Sequence, residues 1–173
     1  MTQQCVLVAC IGNIFRGDDA FGVEVAKRLI VRDLPEEVRV VDFGIRGLDL
    51  AFALLDGADL TIFVDAASRG GAPGTIYTIE PDLNELWSSD APVVIETHEL
   101  HPLNVLRMVK SMGGEFNRIL LVGCEPATLG SDEDGEIGLS EPVRAAVDEA
   151  IEVIESIVTK FLNQNATPGL TPT

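Results

Sequence analysis

The sequence predicts a single three-layer α/β domain, in which a central, largely parallel, twisted sheet of about five strands carries helices on both faces. Apolar runs of strand length alternate along the chain with segments of helical periodicity, and several runs are apolar at every position, as strands buried on both faces are. A length of 173 residues suits one domain. We assign residues 1–162 to it and predict that residues 163–173, "NQNATPGLTPT", form a disordered tail.

The first half of the chain alternates strictly between strand and helix patterns. "CVLVACIG" is an apolar run closed by glycine, and Phe21, Val25 and Leu29 then mark the apolar stripe of a helix. The predicted elements of this half are strands at 5–12, 38–44 and 59–67 and helices at about 19–32 and 48–57. This alternation is what predicts the parallel part of the sheet.

The second half is less regular. A turn-rich segment leads into an alternating strand at 75–80, whose polarity suits a sheet edge, and "DLNELWSSDAP" at 82–92 reads as irregular. A helix begins at Pro102 and ends at Gly113, and Ser140 is in position to cap a long helix at 141–162. Between them, "RILLVGCEP" at 118–126 predicts the last buried strand.

The charge and the cysteines restrict the function classes. Twelve basic against 28 acidic residues give a net charge of -16, which repels nucleic acids and anionic membrane surfaces and favours a metal ion or a basic protein segment. Three widely spaced cysteines indicate neither a disulfide framework nor a zinc site. No signal peptide and no apolar run of about 20 residues is readable, so we expect a soluble, cytoplasmic protein without membrane insertion.

Acidic side chains dominate the predicted carboxyl ends of the strands, where open α/β sheets bind their ligands. These are Asp18 and Asp19 after the first strand, Asp42 after the second, Asp65 after the third and Glu125 after the last. The segment "ETHELHP" adds both histidines of the chain, His98 and His101, at the beginning of a helix.

Nucleotide binding is the first interpretation to weigh. "GNIFRGDD" keeps the glycine spacing of a P-loop, but Asp18 and Asp19 replace the lysine and the hydroxyl residue that bind phosphate and magnesium. A dinucleotide fold needs G-x-G-x-x-G, and Cys10, Gly12 and Phe15 occupy those offsets, although Asp42 does mimic the acid that binds a ribose. The pattern therefore disfavours phosphate ligands.

A cation site is the second interpretation. Two carboxylates and an imidazole from separate loops form a mixed ligand set that suits zinc, nickel, iron or manganese. For Asp18 the pattern favours a helix cap, because an acid in the first turn also meets the helix dipole favourably. Asp19 and Asp65 fit either reading, His98 and His101 could be plain surface residues, and Cys10 and Cys124 are most simply core fillers.

Five motifs, in order along the chain, resemble the hydrogenase maturation proteases, endopeptidases that trim the large subunit of [NiFe] hydrogenases. "GNIFRGDDAFG" is similar to the opening motif G-N-x-x-x-x-D-[DE]-x-x-G, and "VDFG" to the second-strand signature. "DAASRGGAPGT", "THELHP" and "GCEPATLG...GLSEPV" resemble the third-strand acid with its loop, the histidine motif, and the final strand with the last helix start.

The resemblance implies roles for particular residues. Asp19, Asp65 and His98 match the metal-contacting, catalytic positions of the family. The segment Asp42, Phe43 and Gly44 matches a region implicated in substrate recognition, where relatives often continue with Thr and this chain has Ile45. His101 stands where relatives often have Asp before the proline.

The implied function is a nickel-dependent endopeptidase that removes the C-terminal extension of a [NiFe] hydrogenase large-subunit precursor after metal loading. The nickel is expected to arrive with the precursor rather than to be held permanently, so that cleavage reports completed loading. An open-sided ion of this kind would position the precursor and polarise the scissile carbonyl. The alternative is a non-catalytic, nickel-sensing or metal-handling adaptor that uses the same three ligands.

Overall fold

A mixed five-stranded sheet forms the centre of the computed structural model, which describes residues 4–88, 101–130 and 135–165. The strand order is β2-β1-β3-β5-β4. The strands are β1 (Val6–Ile11), β2 (Val38–Gly44), β3 (Leu60–Ala66), β4 (Ile76–Ile79) and β5 (Arg118–Cys124). The helices are α1 (Phe21–Leu29), α2 (Gly47–Leu55), α3 (Leu83–Ser88), α4 (Pro102–Ser111) and α5 (Glu141–Asn165).

Helices cover both faces of the sheet because successive side chains of a strand point to opposite sides. Val6, Val8 and Cys10 of β1 lie in one apolar cluster, with α1 and α5. The intervening residues of β1 lie in a second cluster, with α2 and α4. The central strands are therefore buried on both faces, and the predicted three-layer architecture with a mostly parallel sheet is confirmed.

The strand order places the ends of β1 and β3 at the point where the chain changes direction across the sheet. From β1 the chain runs outwards to β2, and it then returns past β1 to β3. The chain leaves β3 in the opposite direction, over β5 to β4, so the loops after β1 and β3 diverge and leave a crevice between them. This crevice lies at the carboxyl edge of the sheet, where the acidic side chains were predicted to meet.

Strand β4 lies at the edge of the sheet, as the sequence predicted, and among the described strands it is the one that runs antiparallel to its neighbour, β5. Since β5 lies between β3 and β4, residues 67–75 must pass over the carboxyl end of β5. Backbone hydrogen bonds fasten this crossing loop there. Ala67 N–H donates to the Cys124 carbonyl at 2.9 Å, and Gly74 N–H donates to the Glu125 carbonyl at 2.8 Å.

Helix α1 packs unusually close to the sheet through Gly22. A Cβ atom at this position would lie 2.1 Å from the Ile11 carbonyl oxygen and 2.4 Å from that of Val64. The other outer glycine of the opening motif, Gly12, is equally confined, because its Cβ would lie 2.1 Å from the Asp19 carbonyl oxygen. Gly12 and Gly22 therefore allow backbone segments to lie close to each other around the start of α1.

Three element predictions differ from the structure. The helix expected at 19–32 is a 3-10 turn, Gly17–Ala20, followed by the shorter α1. The segment expected to be irregular contains α3, in which Trp87 stacks on Phe116, so tertiary packing supports a helix that local sequence did not show. Helix α5 continues to Asn165, beyond the predicted end of the domain at residue 162, and residues 166–173 of the predicted tail lie outside the described residues.

None of the helices in the described part of the chain is long and apolar enough to cross a membrane.

Candidate active site

Asp19 is brought to the carboxyl edge of the sheet by the turn that follows β1. Asn13 shapes this turn, since its side-chain oxygen accepts a hydrogen bond from the Phe15 N–H at 2.9 Å. The Asn13 N–H in turn donates to the Asp19 carboxylate at 3.2 Å. The side chain of Asp19 is partly buried and faces the crevice.

Asp65 stands near the end of β3. It continues the row of Thr61 and Phe63, which places its side chain on the α2 and α4 face of the sheet. Burial raises the pKa of the Asp65 carboxyl well above its ordinary value, the nearby charge of Asp19 raises it further, and a hydrogen bond from the Ala66 N–H opposes the rise. A positive charge between the two acids would relieve the second of these causes, the repulsion between the two carboxylates.

The two acids line one cavity of about 460 Å³ between the strand ends and the beginning of α4. Most of its wall is apolar, with Ile11, Phe63, Leu106, Ile119 and Leu121 among the lining side chains. The wall also includes Ala66, residues 67–69 of the crossing loop, Ile45, His101 and Leu129. A cavity with an apolar wall and a few convergent polar groups is typical of a binding or catalytic site.

Histidine 98, the third predicted ligand, lies outside the described residues. Among the described residues, no group of three or more histidine, cysteine, aspartate or glutamate side chains is arranged to hold a metal ion. His101 is the N-cap of α4, and its Nδ1 accepts a hydrogen bond from the Leu103 N–H at 3.3 Å. That acceptor role requires a neutral imidazole, as the helix dipole also favours.

Asp18 does not cap its own helix, so the prediction of a simple helix cap was wrong. Its side chain is fully buried and accepts hydrogen bonds from the N–H groups of Ala127, Thr128 and Ser140, at 2.8, 3.1 and 2.7 Å, and from the Ser140 hydroxyl at 2.9 Å. These donors belong to the loop after β5 and to the residue before α5. Asp18 therefore joins the loop that carries Asp19 to the last helix.

The segment from Asp42 to Gly44 lies beside the cavity. An irregularity in the pairing of β1 with β2 leaves Phe43 as an extra residue, which packs into the core at 4 % exposure. Asp42 accepts a hydrogen bond from the Gly44 N–H at 2.9 Å, and the following residue, Ile45, reaches the cavity wall. A recognition role for this segment stays a prediction, and the burial of Phe43 limits it to the backbone and the Asp42 carboxylate.

The thiols of Cys10 and Cys124 are core fillers, as predicted. Both residues are fully buried and free. Burial raises the pKa of the Cys124 thiol to about 12, with the charges of Asp18 and Glu125 adding to the rise. A nucleophilic thiolate is therefore disfavoured at this site.

Glu125, grouped with the other strand-end acids, is a structural anchor for the crossing loop. Its carboxylate accepts hydrogen bonds from the N–H groups of Arg69 and Gly70, at 2.7 and 3.2 Å, and from the Tyr77 hydroxyl at 2.9 Å. The Arg69 N–H is the main reason why the pKa of the Glu125 carboxyl is lowered. Arg69 was not among the predicted site residues, although the glycine pair that follows it indicates a tight loop after Asp65.

Comparisons with known proteins agree with this architecture. A family model described as hydrogenase maturation protease matches residues 23–157. The chain is 32% identical over 154 residues to the hydrogenase expression/formation protein HoxM of Azotobacter vinelandii, which covers 88% of this chain and 72% of that protein.

Solved structures agree as well. The hydrogenase maturating endopeptidase HybD of Escherichia coli has a TM-score of 0.71 and 27% identity, over 91% of this chain and 93% of that one. The [NiFe] hydrogenase maturation protease HycI of Thermococcus kodakarensis has a TM-score of 0.64 and 29% identity, over 90% and 93%. The family model, the relative and the folds all agree with the motifs in the sequence: this chain belongs to the hydrogenase maturation protease family and is an endopeptidase of that family.

Proposed function

We propose that this chain is a nickel-dependent endopeptidase that removes the C-terminal extension of a [NiFe] hydrogenase large-subunit precursor once the metal has been loaded. The observation that carries the proposal is the convergence of Asp19 and Asp65 on one cavity at the carboxyl edge of the sheet. The three cysteines are free, which agrees with the expected cytoplasmic location.

The nickel is treated as part of the substrate. Two carboxylates are a partial ligand set, and the described residues do not complete it. Such a set suits an ion that the precursor already holds, with His98 as the third group from this chain. Carboxylate and imidazole donors are chemically suitable for nickel.

The two acids provide the electrostatic part of recognition. In the free enzyme the pKa of the Asp65 carboxyl is raised chiefly by burial and further by the charge of Asp19, so that ionising both acids together is unfavourable. An arriving dication removes that repulsion and favours release of the proton from Asp65, so a loaded precursor binds better than an empty one. Bound nickel supplies the positive charge that polarises a neighbouring carbonyl.

The experiment compares nickel-loaded and nickel-free precursor as substrates, with the mass of the large subunit measured before and after incubation. We expect loss of a short C-terminal peptide from the loaded precursor alone. Asp19→Asn, Asp65→Asn and His98→Ala should each abolish this loss, and Asp148→Asn, which removes a surface acid on α5, should not. Processing by all three site variants would refute the assignment, and an unchanged precursor mass with wild type would favour the adaptor.

A further inference from the structure

Arg69 introduces a positive charge into the wall of the cavity that Asp19 and Asp65 line. It lies in the crossing loop, four residues after Asp65, and lines the same cavity as Asp19 and Asp65. No lysine and no other arginine is found among the described residues of this wall. In a chain with a net charge of -16, a guanidinium in the wall of this cavity creates a local field of the opposite sign.

The backbone of Arg69 is fixed by the buried Glu125. Both carboxylate oxygens of Glu125 accept hydrogen bonds from the loop, one from the Arg69 N–H at 2.7 Å and the other from the Gly70 N–H at 3.2 Å. The oxygen that binds Arg69 also accepts from the Tyr77 hydroxyl at 2.9 Å. A single buried acid therefore sets the position of the loop and of the tyrosine ring together.

The ring of Tyr77 supports the side chain of Arg69. The guanidinium carbon of Arg69 lies 6.0 Å from the ring centroid, within the range of a cation–π contact. Gly71 lets the loop lie on the tyrosine, because a Cβ atom there would come within 2.1 Å of the Tyr77 hydroxyl. Within the described part of the chain, no ion pair or hydrogen bond occupies the guanidinium group of Arg69.

An arginine with free donors is suited to binding a planar anion. Its fork of N–H groups matches the geometry of a carboxylate, and the cation–π contact with Tyr77 favours one position of the exposed side chain before the ligand arrives. Asp19 and Asp65 repel anions, so an anionic group of a bound peptide is directed towards Arg69 and a cation towards the acids. Asp19 follows β1 and Asp65 lies in β3, whereas Arg69 is held over β5 and β4, so the cavity has two ends of opposite electrostatic preference.

We propose that Arg69 binds a carboxylate of the peptide segment that the enzyme removes. This inference rests on the proposed function, because the nickel at the acidic end holds the mature part of the precursor and leaves the extension towards the other end. The carboxylate belongs either to the C-terminus of the extension or to an Asp or Glu side chain within it. Arg69 then acts as a specificity-determining residue, while Glu125 and Tyr77 position it.

The kinetic test uses nickel-loaded precursor with wild type, Arg69→Ala, Arg69→Lys and Arg28→Ala. The last variant is the matched control, since Arg28 carries the same charge on α1 and pairs with Asp148 on the surface. Loss of a charged hydrogen-bonding partner should raise KM about 10- to 100-fold in Arg69→Ala and leave kcat within about twofold. Arg69→Lys should recover part of the loss, because it keeps the charge without the fork.

The substrate arms identify the carboxylate. One precursor has a C-terminal amide and another has the acidic side chains of its extension replaced by Gln or Asn. The modified precursor that lacks the bound carboxylate should have a higher KM with wild type than the unmodified precursor does. With Arg69→Ala, the two precursors should have the same KM. If both arms affect the two enzymes equally, or if Arg69→Ala matches Arg28→Ala in KM, the carboxylate site is refuted.

A binding measurement separates this inference from the proposed function. A synthetic peptide with the sequence of the extension is titrated into the ¹⁵N-labelled enzyme, and the side-chain Nε–Hε signal of Arg69, assigned by its loss in Arg69→Lys, is followed by NMR. A saturable shift that disappears with the neutralised peptide supports the carboxylate site even if no cleavage is found. An unchanged signal refutes it even if processing is normal.

Discussion

Replacing Asp18 by Asn should destabilise the fold severely, although the substitution alters one atom. The fully buried carboxylate accepts four hydrogen bonds. Three of them reach Oδ2, from the N–H groups of Ala127 and Thr128 and from the Ser140 hydroxyl. The fourth reaches Oδ1, from the Ser140 N–H at 2.7 Å. An asparagine has one acceptor oxygen, so its amide group must face at least one of these donors.

The smallest loss occurs when the amide oxygen takes the Oδ2 position. The NH2 group then faces the Ser140 N–H at the start of α5, which loses a charged hydrogen bond and remains a buried donor without a partner. Such a loss costs about 2–4 kcal/mol, and Asp18→Ala, which releases all four donors, should cost at least about 4 kcal/mol. For a domain of this size, 2–4 kcal/mol corresponds to a decrease in Tm of about 5–15 °C.

The assay is urea unfolding of Asp18→Asn beside Asp19→Asn, with processing activity measured on the same samples. The neighbouring acids should behave oppositely. Asp19 is partly exposed at the cavity, so its asparagine variant should lose activity and change the unfolding free energy by about 1 kcal/mol or less. A cost within 1 kcal/mol for Asp18→Asn, or an equal cost for both variants, would refute the reasoning.

Three further predictions concern packing and pH. Gly22→Ala should cost about 3 kcal/mol or more by chemical denaturation, since its Cβ would collide with backbone oxygens that include that of Ile11; a cost near zero would contradict the close packing of α1. Asp65→Asn should be more stable than wild type at pH 8, because a raised folded pKa makes ionisation costly, and the gain in Tm should vanish as the pH falls below about 4. A difference in Tm between Asp65→Asn and wild type that does not change with pH would contradict a raised pKa for Asp65. Glu125→Gln should be less stable than wild type at pH 7, because a lowered folded pKa gives stability that is present above the ordinary Glu pKa of about 4.3 and is lost as the pH falls through the folded value. The difference in Tm between wild type and Glu125→Gln should therefore become smaller at low pH. A difference that grows at low pH would contradict a lowered pKa for Glu125.

The sheet was predictable because its information is local. Each buried strand is a continuous apolar run, and turn residues separate the runs, so periodicity alone located all five strands. The short helix α3 was missed because its support is tertiary, through the stacking of Trp87 on Phe116. Helix α1 begins at Phe21, two residues later than predicted, because the 3-10 turn Gly17–Ala20 precedes it.

The candidate site was predictable in part. Strand ends in an α/β sheet meet at one edge, which is enough to bring Asp19 and Asp65 to one cavity. The different functions of the acids could not be predicted, because Asp18 and Glu125 are set apart from the cavity acids by N–H donors from distant parts of the chain. Those donors come from residues more than 50 positions away along the chain.

The reversed direction of β4 has a consequence for how members of this fold can diverge. Because β4 runs antiparallel to β5, the crossing loop between β3 and β4 has to span the carboxyl end of β5. The same loop forms part of the wall of the cavity. A change in the length or in the side chains of this loop alters what the cavity can bind and leaves the strand pairing intact. We therefore expect proteases of this architecture to change substrate specificity most readily through the loop at residues 67–75, while the sheet, Asp19 and Asp65 stay the same.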